Sequence, residues 1–399
     1  MNNLQYKLTQ YLDLLVAIVI TTALIVGVIK FNIFATIDGD IHLNWGYFWN
    51  QQILEGQLAP RWFEAAFNGL GTTSFIFYPP LMRFLSLPFG ILNLSPSLQL
   101  KGTIILILLI NSYGVIKLSR LLFNPTSFYK TLAIALSILN PFLMSELFKR
   151  GGFPSLCFLS LIPWLMIGII HYLDRPSYLK FFYISLVCSA IFLSHIPSCL
   201  IFVTAYVPSL LILFLISPKN YKLVTIQLVL ALLLGLLIDA FFVAPILFDT
   251  HLVYQAFIPN INVIKNRLFF NGLLELQPTL IPLGVEDVIA KIFLFNIGLF
   301  FLTVLTAYPW RQQNNSGFFW RLQIYLVAFS LLMSTEIANP IYTHVETFRK
   351  LQFPWRYLGL SSTLVPYLAS YSLDKIADKF TLLQKKNRYS IYYYSYDNT

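Results

Sequence analysis

Two carboxylates and an imidazole stand close together in Asp38-Gly39-Asp40-Ile41-His42, a few positions after a long apolar run. Carboxylates at that spacing suit two kinds of chemistry. One Asp can take the proton from an acceptor hydroxyl, or the pair can hold a divalent cation, Mg or Mn, beside a phosphate. A plainer task is also open to them. An Asp at the start of a helix accepts from its unpaired N–H groups and complements its dipole.

Three cationic or imidazole groups recur near the same membrane face. Arg150 closes the cluster Glu146-Leu147-Phe148-Lys149-Arg150, where it is placed to hold a phosphate or to pair within the cluster. His195 lies in the short link Ser194-His195-Ile196-Pro197, as a donor to a phosphate or carboxylate or as a hydrogen-bonded structural histidine. Arg356, in Leu351-Gln352-Phe353-Pro354-Trp355-Arg356-Tyr357, points at headgroups as an anchor or at a bound phosphate. Asp239 is the one acid clearly inside an apolar run and away from its ends, serving function or a buried packing pair.

The elements that must position these groups are set by composition. The chain is 57% hydrophobic and only 11% charged, against roughly 25% charge in soluble domains. Long apolar segments account for the difference. A span needs about 20 apolar residues, and such segments fall near 11–30, 99–119, 131–148, 153–172, 179–196, 198–217, 223–247, 291–309, 320–338 and 355–373. The fold class is therefore all-α, a polytopic transmembrane bundle of about ten spans. The run Leu14–Ile29 has no small-residue cleavage site after it and reads as a retained first span. Pro163 and Pro208 fall inside spans.

Orientation follows from Lys and Arg. With the N-terminus cytoplasmic, the larger share of the 27 Lys and Arg falls on the shorter cytoplasmic loops and the tail. Both termini then face the cytoplasm of a plasma-membrane protein. Residues 1–373 form the transmembrane unit, 374–399 a cytoplasmic tail, and 31–98 and 248–290 the first and second large outer loops. The net charge of +10 is distributed by loop, which argues for membrane topology and against nucleic acid. Cys157, Cys188 and Cys199 lie in apolar segments without metal-ligand spacing and read as small apolar fillers.

In the first outer loop, Ile41, Trp45, Phe48, Trp49 and Ile53 share one helical face, and His42, Gly46 and Asn50 another. This predicts an amphipathic helix in the interface, with the carboxylates at its N-terminus. Residues 75–94 are apolar but interrupted by Pro79-Pro80, which predicts an interfacial or re-entrant segment.

These stretches carry a resemblance. Asp38-Gly39-Asp40 after the first span resembles the acidic loop motif of the C superfamily of glycosyltransferases (GT-C). Tyr78-Pro79-Pro80-Leu81, Leu193-Ser194-His195, Ala240-Phe241-Phe242-Val243-Ala244-Pro245-Ile246-Leu247 and Leu351-Gln352-Phe353-Pro354-Trp355-Arg356 are similar to bacterial membrane proteins related to 6-pyruvoyl-tetrahydropterin synthase. The GT-C resemblance implies a polyprenyl-phosphate-linked sugar donor, a glycan or lipid acceptor, and an inverting displacement on the non-cytoplasmic face. Asp38 or Asp40 would be the base or hold the cation. His42, Arg150, His195 and Arg356 would bind substrate. Pterin synthase chemistry itself is not expected, because the five histidines are scattered and form no HxH. The other functions in view are a lipid or polyprenyl-phosphate transporter and a structural protein of the cell envelope.

Overall fold

The computed structural model describes residues 3–32, 35–249, 251, 285–306, 315–349, 351 and 353–396. Most of the second outer loop of the sequence reading therefore lies outside the described residues. Among them no strand forms. A single antiparallel bridge joins Phe63 and Thr72.

Eight helices are long and apolar enough to cross a membrane: Tyr11–Lys30, Pro96–Leu122, Phe128–Arg150, Phe153–Asp174, Ile196–Ile216, Tyr221–Ile238, Val288–Thr306 and Asn315–Met333. The chain is a polytopic helical bundle. Its helices, in order, begin with α1 (Asn3–Lys30), α2 (Gly39–Leu54), α3 (Ser74–Phe77), α4 (Leu81–Ile91), α5 (Pro96–Leu122) and α6 (Phe128–Ile138). They continue with α7 (Pro141–Ser145), α8 (Phe153–Asp174), α9 (Tyr178–Phe192), α10 (Ile196–Ile216), α11 (Lys219–Ile238) and α12 (Ala240–Phe248). The rest are α13 (Val285–Thr306), α14 (Asn315–Met333), α15 (Asn339–His344), α16 (Glu346–Arg349) and α17 (Tyr357–Tyr396).

Helix α8 is apolar on all sides and almost wholly enclosed, as a central helix must be. It packs on α5 and α9, and α9 packs on α11. At the other extreme, α1 contacts only one side of the bundle, through α5 and α6. It leaves Leu15, Ile18, Val19, Val26 and Ile29 exposed, the surface expected where lipid replaces protein.

Two further helices complete the bundle. Helix α9 has 15 residues, about 22 Å, and so falls short of the hydrocarbon thickness. The first half of α17 is too rich in Ser, Thr and Tyr to stand out by hydropathy, yet it is buried against α6, α13 and α14. Its polar groups are met inside the protein. Tyr357 Oη lies 2.6 Å from Thr204 Oγ1, and Ser362 Oγ accepts from Asn296 Nδ2 at 2.6 Å.

Two spans are broken within their length. The 131–148 span is not continuous: α6 stops, and Asn140 restarts the chain by accepting from the Phe142 and Leu143 N–H groups with Pro141 at the first helical position. The 223–247 span divides at Asp239 into α11 and α12. Beyond residue 373 the helix α17 continues to Tyr396. Helices α8 and α10 continue through Pro163 and Pro208.

Candidate functional site

The amphipathic helix of the first loop is α2, and both of its faces are packed, the apolar one around Trp49. His42 and Asn50 are buried and Ile41 is exposed. The reason is a pair of polar contacts. Asn50 Nδ2 donates to Gln99 Oε1 at 2.8 Å on α5, and Ser86 Oγ donates to Asn50 Oδ1 at 3.2 Å from α4. The aromatic face is covered in turn by residues 63–78: Trp45 meets Tyr78 with ring centroids 4.5 Å apart, and Trp49 meets Phe75 at 5.4 Å. The segment read as interfacial at 75–94 is α3 and α4; α4 lies against α2 and α5, and α3 packs on α12 and reaches Trp49 of α2 through Phe75.

The start of α2 is tied to the end of the Phe128–Arg150 segment. That segment closes in a π-type turn, Glu146–Arg150, a departure that often marks a functional position. Gly151 follows in the left-handed region at φ 73°. The turn presents the Arg150 carbonyl to the Asp38 N–H at 3.0 Å. Only glycine fits there: a Cβ at Gly151 would lie 2.5 Å from Thr36 Oγ1.

Asp38 occupies the N-cap position of α2 but makes no side-chain cap hydrogen bond. Its half-buried carboxylate has no hydrogen bond and no ion pair among the described residues. It lies in the field of Arg150, Arg356 and Asp40. Burial is the largest influence and raises its pKa above the usual carboxylate value, against the pull of the two guanidiniums. Asp40 is different. It is exposed, and its carboxylate accepts from the adjacent Ile41 N–H at 2.8 Å.

The cations are held by distinct means. Arg150 is paired with the buried Glu146, at 2.8 Å to Oε1 and 3.0 Å to Oε2, and lies 5.3 Å from the centroid of Trp355. Among the described residues Arg356 is not paired with any carboxylate. Phe353 is extended and Pro354 starts a single 3₁₀ turn, which delivers Arg356 at the foot of α17. Arg356 then donates to the Leu351 carbonyl at 3.1 Å and stacks 5.1 Å from Phe353, leaving its Nε buried without a partner.

Two neutral groups complete the wall. His42 is enclosed by Phe153, Tyr78 and Trp45, at 5.8, 6.0 and 6.4 Å between ring centroids. Burial, with Arg150 and Arg83 nearby, pushes its pKa down to about 3, so the ring is neutral at ordinary pH. His195 bonds Ser198 Oγ through Nδ1 at 2.7 Å and lies in the field of Arg356, Arg150 and His42. The link that carries it is fastened to the foot of α4 by the Leu81 N–H donating to the Leu193 carbonyl at 2.9 Å.

The structure thus gathers Asp38, His42, Arg150, His195 and Arg356 at one end of the bundle, and leaves Asp40 at its edge. It also adds residues that spacing alone did not single out. The Tyr78 hydroxyl senses Asp38, Arg150, Arg356 and Arg83, and burial raises its pKa, so it remains a protonated donor. Arg83 is buried between Trp49 and Phe75, at 4.3 and 4.6 Å from their centroids, with Nε and Nη1 unpartnered. Burial lowers its pKa to about 9. A narrow crevice of about 20 Å³ runs from His42 and Tyr78 past Arg83 to Gln99 and Thr103.

The family model for the 6-pyruvoyl-tetrahydropterin synthase related domain, described as a membrane protein, matches residues 75–383. The chain belongs to this family. No curated protein and no solved structure matches it. Within this PTPS-related chain, Tyr78, Arg83, Glu146, Arg150, His195 and Arg356 fall inside the matched segment, and Asp38, Asp40 and His42 precede it. The family and the helices together make it a multi-pass membrane protein.

Asp239 stands apart from this cluster. It is fully buried at the break between α11 and α12, where it accepts from Ser189 Oγ at 2.7 Å while its second oxygen has no partner. The two readings of Asp239, function and a buried packing pair, both remain compatible with one bonded oxygen and one left over.

Proposed function

We infer that the Asp38 end of the bundle is a glycosyl-transfer site using a polyprenyl-phosphate-linked sugar on the non-cytoplasmic face. The observation that carries this reading is Asp38 itself. Its carboxylate is half-buried and unspent, faces two guanidiniums, and has its pKa raised by burial. A carboxylate in that state is a proton acceptor whose strength is increased by its surroundings.

In the proposed reaction the acceptor hydroxyl gives its proton to Asp38 as its oxygen attacks the anomeric carbon. The bond from that carbon to the donor phosphate breaks, and its electron pair leaves on the phosphate oxygen. Inversion follows from attack on the opposite face. Arg356, whose charge no carboxylate among the described residues neutralises, stabilises the departing phosphate, and Arg150 contributes from its pair with Glu146. Neutral His42 and Tyr78 orient polar groups of the sugar or acceptor by hydrogen bonds. His195 supports the phosphate side.

Asp38 and Asp40 are also the carboxylates that would hold a divalent cation. The donor set does not favour it. Only one of the two faces the cluster, and the charges nearest to it are guanidiniums. Among the described residues no three His, Cys, Asp or Glu side chains converge on a common point. The arrangement suits a phosphate held directly by arginine, and no step is routed through a metal.

The test is reconstitution of the purified protein in vesicles with lipid-linked sugars of defined headgroup, followed by mass spectrometry of the lipid extract. Release of free polyprenyl phosphate with transfer of the sugar supports the reading. Movement of intact donor across the bilayer without cleavage would replace it with the transporter alternative.

A further inference from the structure

A second charged cavity lies at the opposite end of the bundle from Asp38. Arg120 is in the last turn of α5 and Lys130 in the first turns of α6, so the short connection between these helices brings two cations together. Asp13, on α1, is fully buried behind them. It accepts from Arg120 Nε at 2.9 Å and lies 3.4 Å from Lys130 Nζ. The Lys130 ammonium is nearly inaccessible and also donates to the Pro125 carbonyl.

The three charges leave one positive charge over. They also fix its direction. Arg120 spends only Nε on Asp13, its side chain is 46% exposed, and its two Nη groups make no hydrogen bond among the described residues. Beside it is a cavity of about 240 Å³ lined by Tyr11, Arg120, Phe123, Pro125 and Lys130. Its wall holds two cations, a phenol and apolar surface, and no carboxylate.

Depth adds an independent argument. The span Tyr11–Lys30 has 20 residues, about 30 Å of helix, which matches the hydrocarbon thickness. Tyr11 at its end therefore stands at headgroup level in the leaflet away from Asp38. That is where tyrosine is enriched in membrane proteins and where basic pockets between helices hold lipid phosphates.

We propose that this cavity, between α1, α5 and α6, binds an anionic phosphate group through the outward Nη atoms of Arg120, with Lys130 adding charge and Tyr11 its hydroxyl. Asp13 is a positioning residue that aligns the guanidinium and does not touch the ligand. The phosphate is borne by a phospholipid headgroup or is free in solution, and the two sources are separable.

Native mass spectrometry of the purified full chain decides between them, using mixed micelles with phosphatidylglycerol and phosphatidylcholine of equal chain length. Wild type is expected to retain phosphatidylglycerol roughly fivefold better, the effect of one cation at the surface. Arg120→Gln should abolish the preference and Arg120→Lys should restore part of it. Arg175→Gln, which removes an 89% exposed cation after α8, should leave it unchanged. Retention that millimolar inorganic phosphate cannot displace identifies the lipid as the source. Displacement of the lipid, with a rise in melting temperature on adding phosphate alone, identifies free phosphate. Absence of any preference in wild type, or the same preference in Arg120→Gln, would overturn the proposal. A melting curve for Arg120→Gln in lipid-free detergent verifies that the variant is folded. If it is not, Tyr11→Phe, at a 60% exposed residue, supplies the comparison, and its expected result is a weaker preference.

Discussion

The backbone N–H of Asp38 donates to the carbonyl of Arg150 at 3.0 Å. This one bond joins the residue proposed as proton acceptor to the residue proposed as phosphate ligand, across 112 positions of sequence. It fixes the start of α2 against the π-type turn, so the Asp38 carboxylate lies in the field of Arg150 without forming an ion pair with it. An ion pair would have lowered the basicity of Asp38. The backbone contact keeps the carboxylate near the cations but unspent.

Asp38→Asn is expected to remove roughly 10²–10⁴ of the transfer rate, the usual contribution of a positioned base. It should not lower the melting temperature at neutral pH. The side chain makes no cap bond, and its charged form is disfavoured by burial. A drop of several degrees in a thermal melt would mean that Asp38 supports the start of α2 after all, as a cap worth about 1 kcal/mol.

The pH dependence has a definite sign. The folded pKa of Asp38 is raised, so the stability it contributes is present at low pH and lost as pH rises through that value. Its activity runs the other way, because only the ionised form accepts a proton. The acidic limb of the rate profile should therefore lie above the ordinary aspartate value of about 3.9. Steady-state rates between pH 4 and 8 measure it. An acidic limb at or below the ordinary value would contradict the assignment.

His42 has the opposite linkage. Its pKa falls to about 3 in the folded protein, so its contribution is full above the ordinary histidine value of 6.5 and is lost progressively as pH falls from there towards 3. His42→Gln should flatten the acid side of the stability curve, read as melting temperature against pH in one detergent. An unchanged curve would show that the imidazole is not buried as described.

Gly152→Ala should disable the site from a distance. A Cβ there would lie 1.9 Å from Glu146 Oε2 and would drive this carboxylate away from Arg150. Losing one partner of a buried ion pair costs about 3–5 kcal/mol. The expected result is a lower melting temperature together with loss of transfer. Gly298→Ala, where nothing lies within 4 Å, is the comparison and should do neither.

Much of the scaffold was legible because lipid imposes a simple rule. Runs of about 20 apolar residues are hard to place anywhere else. The polar first half of α17 was placed as a span from its position and its Pro354-Trp355-Arg356 opening, although its hydroxyls lower its hydropathy. Breaks were harder to see. Asn140-Pro141 and Asp239 interrupt helices inside apolar runs, and only local capping reveals them. The apolar face of α2 was legible from its periodicity, but the burial of its second face was not. The bonds from Asn50 to Gln99 and Ser86 that accompany it join residues far apart in sequence. Spacing could not tell Asp38 from Asp40 either, since which one faces inward depends on the Arg150 turn. Arg83 gave one signal that went unused, a single cation within the apolar stretch 75–94.

Arg356→Gln should cost about 10²–10³ in rate, the scale of removing one donor to a developing charge. Arg150→Gln should cost rate and also stability, because it strands Glu146. Measuring both kinetics and melting for the two variants separates these roles. Equal losses of stability would show that Arg356 is a structural anchor.

The most direct measurement is a deletion strain complemented with wild type, Asp38→Asn or Asp40→Asn, with matched membrane expression and profiling of lipid-linked sugars and surface glycans. The account predicts that deletion removes a glycan and accumulates its lipid-linked donor. Wild type and Asp40→Asn should restore the glycan, and Asp38→Asn should not. Full complementation by Asp38→Asn would contradict the account, because the unspent carboxylate would then have no part in the chemistry.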